Sequence, residues 1–350
     1  MKEIKIWNYI INENSSTFII AELSANHWWN IENAKKIIKA AAESWANAIK
    51  LQTYTADTMT IDCKKDDFMI NSWTEWDWKY LYDLYWEAYT PWEWHKELMK
   101  YTNNLWMEFF STPFDETAVD FLEDLWVPCH KIASFENTDI PLIKKVAKTW
   151  KPIIISTWMA NFEDIKLAVE TIRWEGNEQI ILLKCTSSYP APYEELNLKT
   201  IEFFKNDFNV IPWLSDHTLW IEVPIASVVL WAKVIEKHFC LSRKIKTADS
   251  HFSLEPDELK EMIKSIRNIE KAIWDKNYFC TKKEKASLQF RRSIYISRDI
   301  NKWEKLTKEN TKIIRPWFWL EPKYYEDVLW KIVKKDLKKC TPLKLEDINI

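Results

Sequence analysis

The stretch Phe18-Ile19-Ile20-Ala21-Glu22 decides the fold class, because it is a short β-branched apolar run that ends in a carboxylate. Residues 31–45 follow it and keep their apolar side chains at the i, i+3, i+4, i+7 spacing of a helix buried on one side. A buried strand followed by a one-sided helix is the repeating unit of a parallel sheet. We therefore expect further units of this kind along the chain.

The strand–helix unit recurs along the first four-fifths of the chain. Seven more apolar runs follow at 48–52, 108–112, 131–134, 153–157, 180–185, 210–215 and 234–238. Helical patterns lie between them at about 92–105, 116–125, 139–149, 162–174, 221–231 and 255–273. Eight units predict an α/β fold, a (β/α)8 TIM barrel. An open doubly wound sheet is the alternative, but the chain lacks a G-x-G-x-x-G opening, even with Trp read as Gly.

The strand–helix alternation stops after residue 280. Residues 281–285 form a charged stretch, and residues 290–350 are short β-rich runs separated by turns. We predict a barrel domain over 1–280, followed over 281–350 by a linker and a small β-rich domain.

Composition narrows the class of partner. The 350 residues carry a formal net charge of −3 and no apolar run of the roughly 18 residues that a membrane span needs. We therefore expect a small-molecule partner, no nucleic acid and no membrane. The first residues, Met1-Lys2-Glu3-Ile4-Lys5, lack the apolar region of a signal peptide, and the six cysteines form no C-x-x-C pair. Both features lead us to expect a cytoplasmic protein with free thiols.

The tryptophan and glycine content is abnormal. The chain has 23 Trp and one Gly, whereas Gly alone makes up roughly 7% of ordinary proteins. Many Trp fall where turns and helix ends favour Gly, as at Trp28-Trp29, Trp150 and Trp317. We hypothesise that most Trp letters stand for Gly, encoded by a reassigned stop codon. Trp92 and Trp94, in a helix-opening stretch, are expected to be true tryptophans, and the alternative is a protein that is Trp-rich throughout.

Polar side chains accumulate where the predicted strands end. They are Glu22, Lys50, Gln52, Thr112, Lys131, Ser134, Ser156, Thr157, Ser187, Ser188, Ser215, Asp216, His217 and His238. In a barrel these carboxyl ends meet at one mouth, where active sites lie. Ammonium and hydroxyl groups suit a phosphorylated, carboxylated small anion. His217 and His238, on neighbouring strands, are suited to share a divalent metal, and Glu22 is the acid/base candidate.

Several motifs resemble the sialic acid synthase family. They are Ile20-Ala21-Glu22-Leu23-Ser24-Ala25-Asn26-His27, Lys50-Leu51-Gln52-Thr53-Tyr54, Phe110-Ser111-Thr112-Pro113-Phe114-Asp115, Ser215-Asp216-His217-Thr218, Glu236-Lys237-His238-Phe239 and Arg315-Pro316-Trp317-Phe318-Trp319-Leu320. The stretches 131–137 and 287–293 look most like the pseudaminic acid members. Family Gly positions are Trp here, for example at Trp29, Trp158, Trp213 and Trp319.

The resemblance implies condensation of phosphoenolpyruvate with an acetamido-sugar aldehyde, releasing phosphate by C–O cleavage and giving a nine-carbon keto sugar acid. It implies Mn²⁺ or Mg²⁺ on His217 and His238, with Glu22 and His238 catalytic. Substrate would contact Lys50, Gln52, Thr112, Lys131, Ser134, Ser156, Ser187, Tyr189, Ser215, Asp249 and Arg315. It also implies an antifreeze-like (SAF) C-terminal domain that caps the partner's barrel in a homodimer, with Arg315 acting across the interface.

Other functions stay open at this stage. The acceptor sugar is not fixed, and N-acetylneuraminate and legionaminic acid synthases are alternatives to a pseudaminic acid synthase. A Schiff-base aldolase would need one buried lysine and no histidine pair. A non-catalytic sugar-binding protein descended from a synthase is the reading favoured if the Trp letters are literal.

Overall fold

The computed structural model describes residues 3–71, 76–273, 278 and 280–349. The chain divides into two compact units, Met1–Trp274 and Asp275–Ile350. Each unit has its own apolar core, the second one built from residues such as Ile294, Leu306 and Val333.

Twelve strands are present in the described residues. They are β1 (Ile4–Ile6), β2 (Tyr9–Ile11), β3 (Phe18–Glu22), β4 (Ala48–Thr53), β5 (Glu108–Pro113), β6 (His130–Ile132), β7 (Ile153–Ser156), β8 (Ile180–Cys185), β9 (Ile211–Asp216), β10 (Val234–His238), β11 (Ser293–Ile296) and β12 (Thr311–Ile314). Strands β3 to β10 close a parallel barrel in chain order, and β10 pairs with β3. The predicted eight-stranded barrel is confirmed.

The described helices are α1 (Ile31–Glu43), α2 (Ala56–Met59), α3 (Leu81–Ala88), α4 (Trp92–Asn104), α5 (Glu116–Asp124), α6 (Ile140–Ala147), α7 (Phe162–Trp174), α8 (Thr200–Phe208), α9 (Glu222–Val229), α10 (Pro256–Ala272), α11 (Lys282–Ser287) and α12 (Tyr325–Val328). Side-chain caps start several of them: Asn30 accepts from the backbone N–H groups of α1, and Asp115 does so for α5. Within the described part of the chain, no helix combines the length and apolar surface that a bilayer crossing demands.

The second unit is small and β-rich, as predicted. Strands β11 and β12 pair antiparallel, and isolated bridges such as Ile300 to Leu337 extend the pairing. All six cysteines of the chain are free thiols.

Many tryptophans have the backbone of glycine. Among the described residues, twelve have a positive φ between 42° and 74°: Trp7, Trp28, Trp29, Trp45, Trp78, Trp106, Trp126, Trp150, Trp231, Trp303, Trp319 and Trp330. L-residues avoid this left-handed region because Cβ approaches the neighbouring carbonyl. These backbones agree with the hypothesis that most Trp letters stand for Gly, and many of the indoles are exposed, Trp106 to 90%.

Nine described tryptophans lack a positive φ, and three of them differ from the twelve in how they are packed. Trp92 donates its Nε1–H to the carbonyl of Tyr54 at 3.1 Å, and Trp94 packs edge-on against His27. These contacts agree with the expectation that both are true tryptophans. Trp213 is fully buried in β9, and its Nε1 has no hydrogen-bond partner. Trp73 and Trp274 lie outside the described residues.

Candidate active site

The barrel closes so that the predicted polar residues lie at the carboxyl ends of its strands. In the strand register Glu22 lies beside both Lys50 and His238, Gln52 beside Thr112, and Ser215 beside Glu236. The remaining predicted positions are Lys131 on β6, Ser134 two residues after β6, Ser156 at the end of β7, Ser187 and Tyr189 after β8, His217 after β9, and Asp249 after β10. The barrel therefore brings these residues to one end of the sheet.

Four charged groups meet inside this end of the barrel. Lys50 forms an ion pair with Glu22, and its Nζ lies 3.7 Å from Glu236 Oε1. Lys131 Nζ lies 2.9 Å from the same Glu236 oxygen. All four side chains are buried. Each lysine is paired with a carboxylate, which makes burial of the group tolerable.

Hydroxyl groups surround the charged cluster. Lys50 Nζ donates to Thr112 Oγ1 at 3.3 Å, and Ser215 Oγ donates to Glu236 Oε1 at 3.1 Å. Ser134, Ser156 and Ser187 are also buried, at the ends of β6, β7 and β8. Glu236 Oε2 has no hydrogen-bond partner in the described structure, so this carboxylate keeps an unused acceptor.

The two carboxylates of the cluster have pKa values displaced in opposite directions. Burial raises the pKa of Glu22, because a charged carboxylate loses its water, and the neighbouring Lys50 offsets only part of this. Burial acts in the same direction on Glu236, but Lys131 and Lys50 outweigh it and lower the pKa of Glu236. Glu22 is thus the member of the pair that holds a proton more readily, which suits an acid/base group.

His217 and His238 lie side by side, with ring centroids 5.3 Å apart. His217 Nδ1 lies 2.9 Å from the carbonyl oxygen of Thr186, and donation to that oxygen leaves Nε2 with a free lone pair. His238 Nδ1 is buried with no hydrogen-bond partner. Burial, together with the nearby His217, lowers the pKa of His238, so its imidazole is neutral. Burial acts in the same direction on His217, but Cys185, the Thr186 carbonyl and Asp216 outweigh it and raise the pKa of His217. Two imidazoles at this spacing offer nitrogen donors of the kind that a divalent metal binds.

The histidine pair has an aromatic and acidic border. The Tyr189 ring lies 4.6 Å from His217 and 4.8 Å from Phe252, measured between centroids. Asp249 Oδ2 lies 3.9 Å from His238 Nδ1 and accepts a hydrogen bond from the Ala25 N–H at 3.4 Å. Across the residues described, no group of three or more His, Cys, Asp or Glu side chains converges as a metal site. A metal held here would therefore rely on ligands beyond the two histidines.

One predicted residue belongs to the other unit. Arg315 directly follows β12 and is exposed there.

Sequence reasoning missed two groups that organise the site. Glu236 joins both lysines, and its position two residues before His238 in a buried strand already placed it on the same face. The Thr186 carbonyl, which orients His217, carries no side-chain signal and is not readable from sequence.

The fold and this cluster define a class of protein: a (β/α)8 enzyme whose barrel mouth holds two buried lysines and two buried carboxylates beside a pair of histidines. The NeuB family model matches residues 37–278. The chain belongs to the NeuB family.

Individual relatives agree with the family match. The chain is 43% identical over 338 residues to the pseudaminic acid synthase of Campylobacter jejuni, covering 97% of this chain and 98% of that one. It is 41% identical over 332 residues to the pseudaminic acid synthase of Helicobacter pylori, covering 95% and 97%. A crystal structure of N-acetylneuraminic acid synthetase from Leptospira borgpetersenii superposes with a TM-score of 0.74 at 29% identity, covering 83% of this chain and 96% of that chain.

Proposed function

We propose that this protein is a pseudaminic acid synthase. It condenses phosphoenolpyruvate with a 2,4-diacetamido sugar aldehyde, forms a nine-carbon keto sugar acid and releases phosphate. The observation that carries the proposal is the buried Lys50–Glu22–Glu236–Lys131 cluster next to the paired His217 and His238. The names of the two relatives above favour the pseudaminic product.

Phosphoenolpyruvate binds in the charged cluster. Lys50 and Lys131 supply the ammonium groups, because a phosphate and a carboxylate need fixed positive charge and hydrogen-bond donors. Donors from hydroxyl groups complete the site, namely Thr112, Ser134, Ser156, Ser187 and Ser215. The trianion adds negative charge beside Glu22, which further favours the protonated form of that carboxyl.

The sugar occupies the outer part of the mouth. Gln52, Tyr189 and Asp249 hold its hydroxyl and acetamido groups, and the Tyr189 ring offers an apolar face. Arg315 completes the sugar site from the C-terminal domain of a second subunit, which makes the enzyme a homodimer.

The histidine pair binds Mn²⁺ or Mg²⁺. The residues fit this role, because the Thr186 carbonyl holds His217 with Nε2 free and His238 Nδ1 is buried without a partner. When bound, the metal acts as a Lewis acid toward the aldehyde oxygen.

Glu22 manages a proton during the reaction. C3 of phosphoenolpyruvate bonds to the aldehyde carbon, water adds at C2, and the C2–O bond to phosphate breaks. The water loses a proton as it adds, and the new alkoxide gains one. A carboxyl with a raised pKa beside Lys50 is suited to such an exchange.

An isotope experiment tests this reaction. Phosphoenolpyruvate labelled with ¹⁸O in the bridging position should transfer the label to inorganic phosphate, because the C–O bond breaks. Label that stays in the organic product would contradict the proposal. A parallel assay with 2-acetamido and 2,4-diacetamido sugars of different stereochemistry identifies the acceptor and separates the N-acetylneuraminate and legionaminate alternatives.

Two controls test the alternative functions, a Schiff-base aldolase and a non-catalytic sugar-binding protein. A Schiff-base aldolase would be trapped by borohydride in the presence of substrate, and we expect no trapping because Lys50 and Lys131 are engaged with carboxylates. A non-catalytic sugar-binding protein would bind the sugar without releasing phosphate.

A further inference from the structure

Lys237 is the residue before His238 in β10, and it lies on the opposite face of the strand because side chains alternate. Its side chain therefore points away from the charged cluster and toward the surrounding helices. It is nonetheless only 1% exposed. A buried lysine outside the substrate cavity calls for a partner, since an unpaired buried charge is strongly unfavourable.

The partners of Lys237 are the two residues that flank His217. Lys237 Nζ lies 2.5 Å from Asp216 Oδ2, and it donates to the carbonyl oxygen of Thr218. Asp216 in turn accepts from Thr218, through the backbone N–H at 3.1 Å and the hydroxyl at 2.8 Å. These bonds form a closed ring around the backbone that carries His217.

We propose that Lys237, the residue before His238, is a positioning residue for the metal pair: its ammonium group fixes the backbone on both sides of His217. One side chain thereby ties the two imidazole-bearing strand ends to each other. The inference rests on the proposed metal site at His217 and His238.

Stability alone does not account for this arrangement. A buried ion pair often stabilises a fold no better than well-packed apolar residues of similar volume. The ion pair is also not needed to set the register of β9 and β10, since backbone pairing already places Lys237 opposite Asp216. What the Lys237 contacts add is a restraint on residues 216 and 218, at the end of β9 and just beyond it. Groups that orient metal ligands from outside the coordination sphere commonly change metal affinity 10–100-fold.

The test compares Mn²⁺ affinity, by calorimetry and by the electron paramagnetic resonance signal of bound Mn²⁺, in matched variants. The double variant Lys237→Met with Asp216→Asn keeps the shapes and removes both charges. We expect Mn²⁺ binding at least about tenfold weaker. The Michaelis constant for phosphoenolpyruvate should stay unchanged, because Lys50 and Lys131 are untouched.

The control removes an ion pair that lies away from His217 and His238, on a carboxylate that also contacts His130 Nε2 at 2.6 Å. Lys151 Nζ and Glu123 Oε1 are 2.7 Å apart, next to the amino-terminal ends of β7 and β6. Lys151→Met with Glu123→Gln should leave Mn²⁺ affinity at the wild-type value. If Lys237 has a merely structural role, its double variant should resemble the control. Both double variants would then lose thermal stability and keep the wild-type Mn²⁺ affinity.

A milder variant covers the case in which the double variant does not fold. Thr218→Val keeps both charges and removes only the hydroxyl in the ring, and we expect about threefold weaker Mn²⁺ binding. Wild-type Mn²⁺ affinity in a folded double variant, or in Thr218→Val if the double variant does not fold, would overturn the inference.

His217→Ala distinguishes a failure of the proposed metal site from a failure of the role of Lys237. If His217→Ala binds Mn²⁺ like the wild type, the metal site itself is wrong. If it loses Mn²⁺ while the double variant keeps it, only the role of Lys237 is wrong.

Discussion

Helix ends show residue by residue why a tryptophan is the wrong side chain at several positions. At the end of α1, Trp45 N–H bonds to the Ala42 carbonyl at 2.9 Å and Ala46 N–H bonds to the Ala41 carbonyl at 3.0 Å. This pair of bonds is the Schellman motif, which places its left-handed residue, usually Gly, just after the helix. Trp106, Trp126 and Trp231 repeat the pattern after α4, α5 and α9.

The single glycine of the chain lies in the same helix-end motif as these tryptophans. Gly176 follows α7 with φ +84°, and its N–H bonds to the Arg173 carbonyl at 2.9 Å. Gly176 therefore occupies the same position in the same motif as those four tryptophans. The backbone at each of them is that of a glycine.

Replacing such tryptophans with glycine should stabilise the protein. Trp106 and Trp126 are 90% and 75% exposed, so their indoles contribute little packing. We expect Trp106→Gly and Trp126→Gly each to raise the free energy of unfolding by about 1 kcal/mol, through relief of the left-handed backbone. The measurement is urea unfolding at one pH.

Alanine variants at the same positions separate backbone strain from loss of the indole. Trp106→Ala and Trp126→Ala keep a Cβ and should show little gain, whereas Trp92→Gly should destabilise the protein because Trp92 is a true packing residue. Equal effects of Gly and Ala would argue against strain. In the gene, UGA is expected at Trp45, Trp106, Trp126 and Trp231, and UGG at Trp92 and Trp94.

Lys131 tests the anion site at the level of one residue. Its ammonium group is 2.9 Å from Glu236 Oε1 inside the barrel mouth. Lys131→Met keeps the aliphatic stem and removes a charge-assisted contact worth roughly 1.5–3 kcal/mol, so kcat/KM for phosphoenolpyruvate should fall at least about tenfold. Lys144→Met, on the exposed side of α6, is the matched control. Unchanged kinetics in Lys131→Met would remove this lysine from the site.

At the scale of elements, the barrel was predictable because each strand is a short apolar run and each helix keeps a one-sided pattern. Predicted and observed strands agree within a few residues, as at 234–238 and β10. Helix α8 was missed although Ile201, Phe204 and Phe208 have helical spacing. Strands β1 and β2 have three residues each, too few for a period to show.

The site was predictable to the extent that strand ends converge in a barrel. That rule brings together residues from Glu22 to His238 without any knowledge of distances. It does not tell which lysine faces which carboxylate, so the central place of Glu236 was missed. Interactions through backbone atoms, such as the Thr186 carbonyl with His217, depend on loop geometry that no side-chain pattern records.

Two buried histidines, His95 within α4 and His27 packed against Trp94 of the same helix, make the free energy of unfolding depend on pH. Burial lowers the pKa of His27 and of His95 to about 4, against 6.5 in an unfolded chain. Both are therefore neutral when folded, and the unfolded chain takes up protons first as the pH falls. The contribution of the two neutral histidines to the free energy of unfolding is fully present above pH 6.5 and is lost between pH 6.5 and 4. At pH 5 each histidine should lower the free energy of unfolding by roughly 2 kcal/mol.

The variant His95→Gln isolates one of these contributions. Gln can still hydrogen-bond to Thr53, which lies 2.9 Å from His95 Nε2, but it cannot be protonated. Free energies of unfolding measured at pH 7, 6 and 5 should fall less steeply in His95→Gln than in the wild type. Parallel pH curves for the two proteins would contradict the prediction.

At the scale of the whole molecule, the two units have separate cores. The apolar cluster of the second unit is made of residues between Ile294 and Ile348, and the barrel clusters lie at or before residue 266. Deleting residues 285–350 should therefore leave a folded barrel, with far-ultraviolet circular dichroism and a cooperative thermal transition. Condensation of the sugar should be lost, because Arg315 is removed. A truncated protein with full activity would show that the second unit takes no part in the reaction.

The pairing of β10 with β3 also determines when the edge of β3 finds its partner strand during synthesis. Phe18 lies in register with Val234, and its N–H donates to the Lys233 carbonyl at 2.9 Å. One edge of β3 therefore has no partner until almost the whole barrel unit has been synthesised. At about 10 residues per second, that edge waits on the order of 20 s on the ribosome. Unpaired strand edges invite pairing with other chains. Nascent chains that stall before β10 are thus the species in which we expect aggregation and chaperone capture to concentrate.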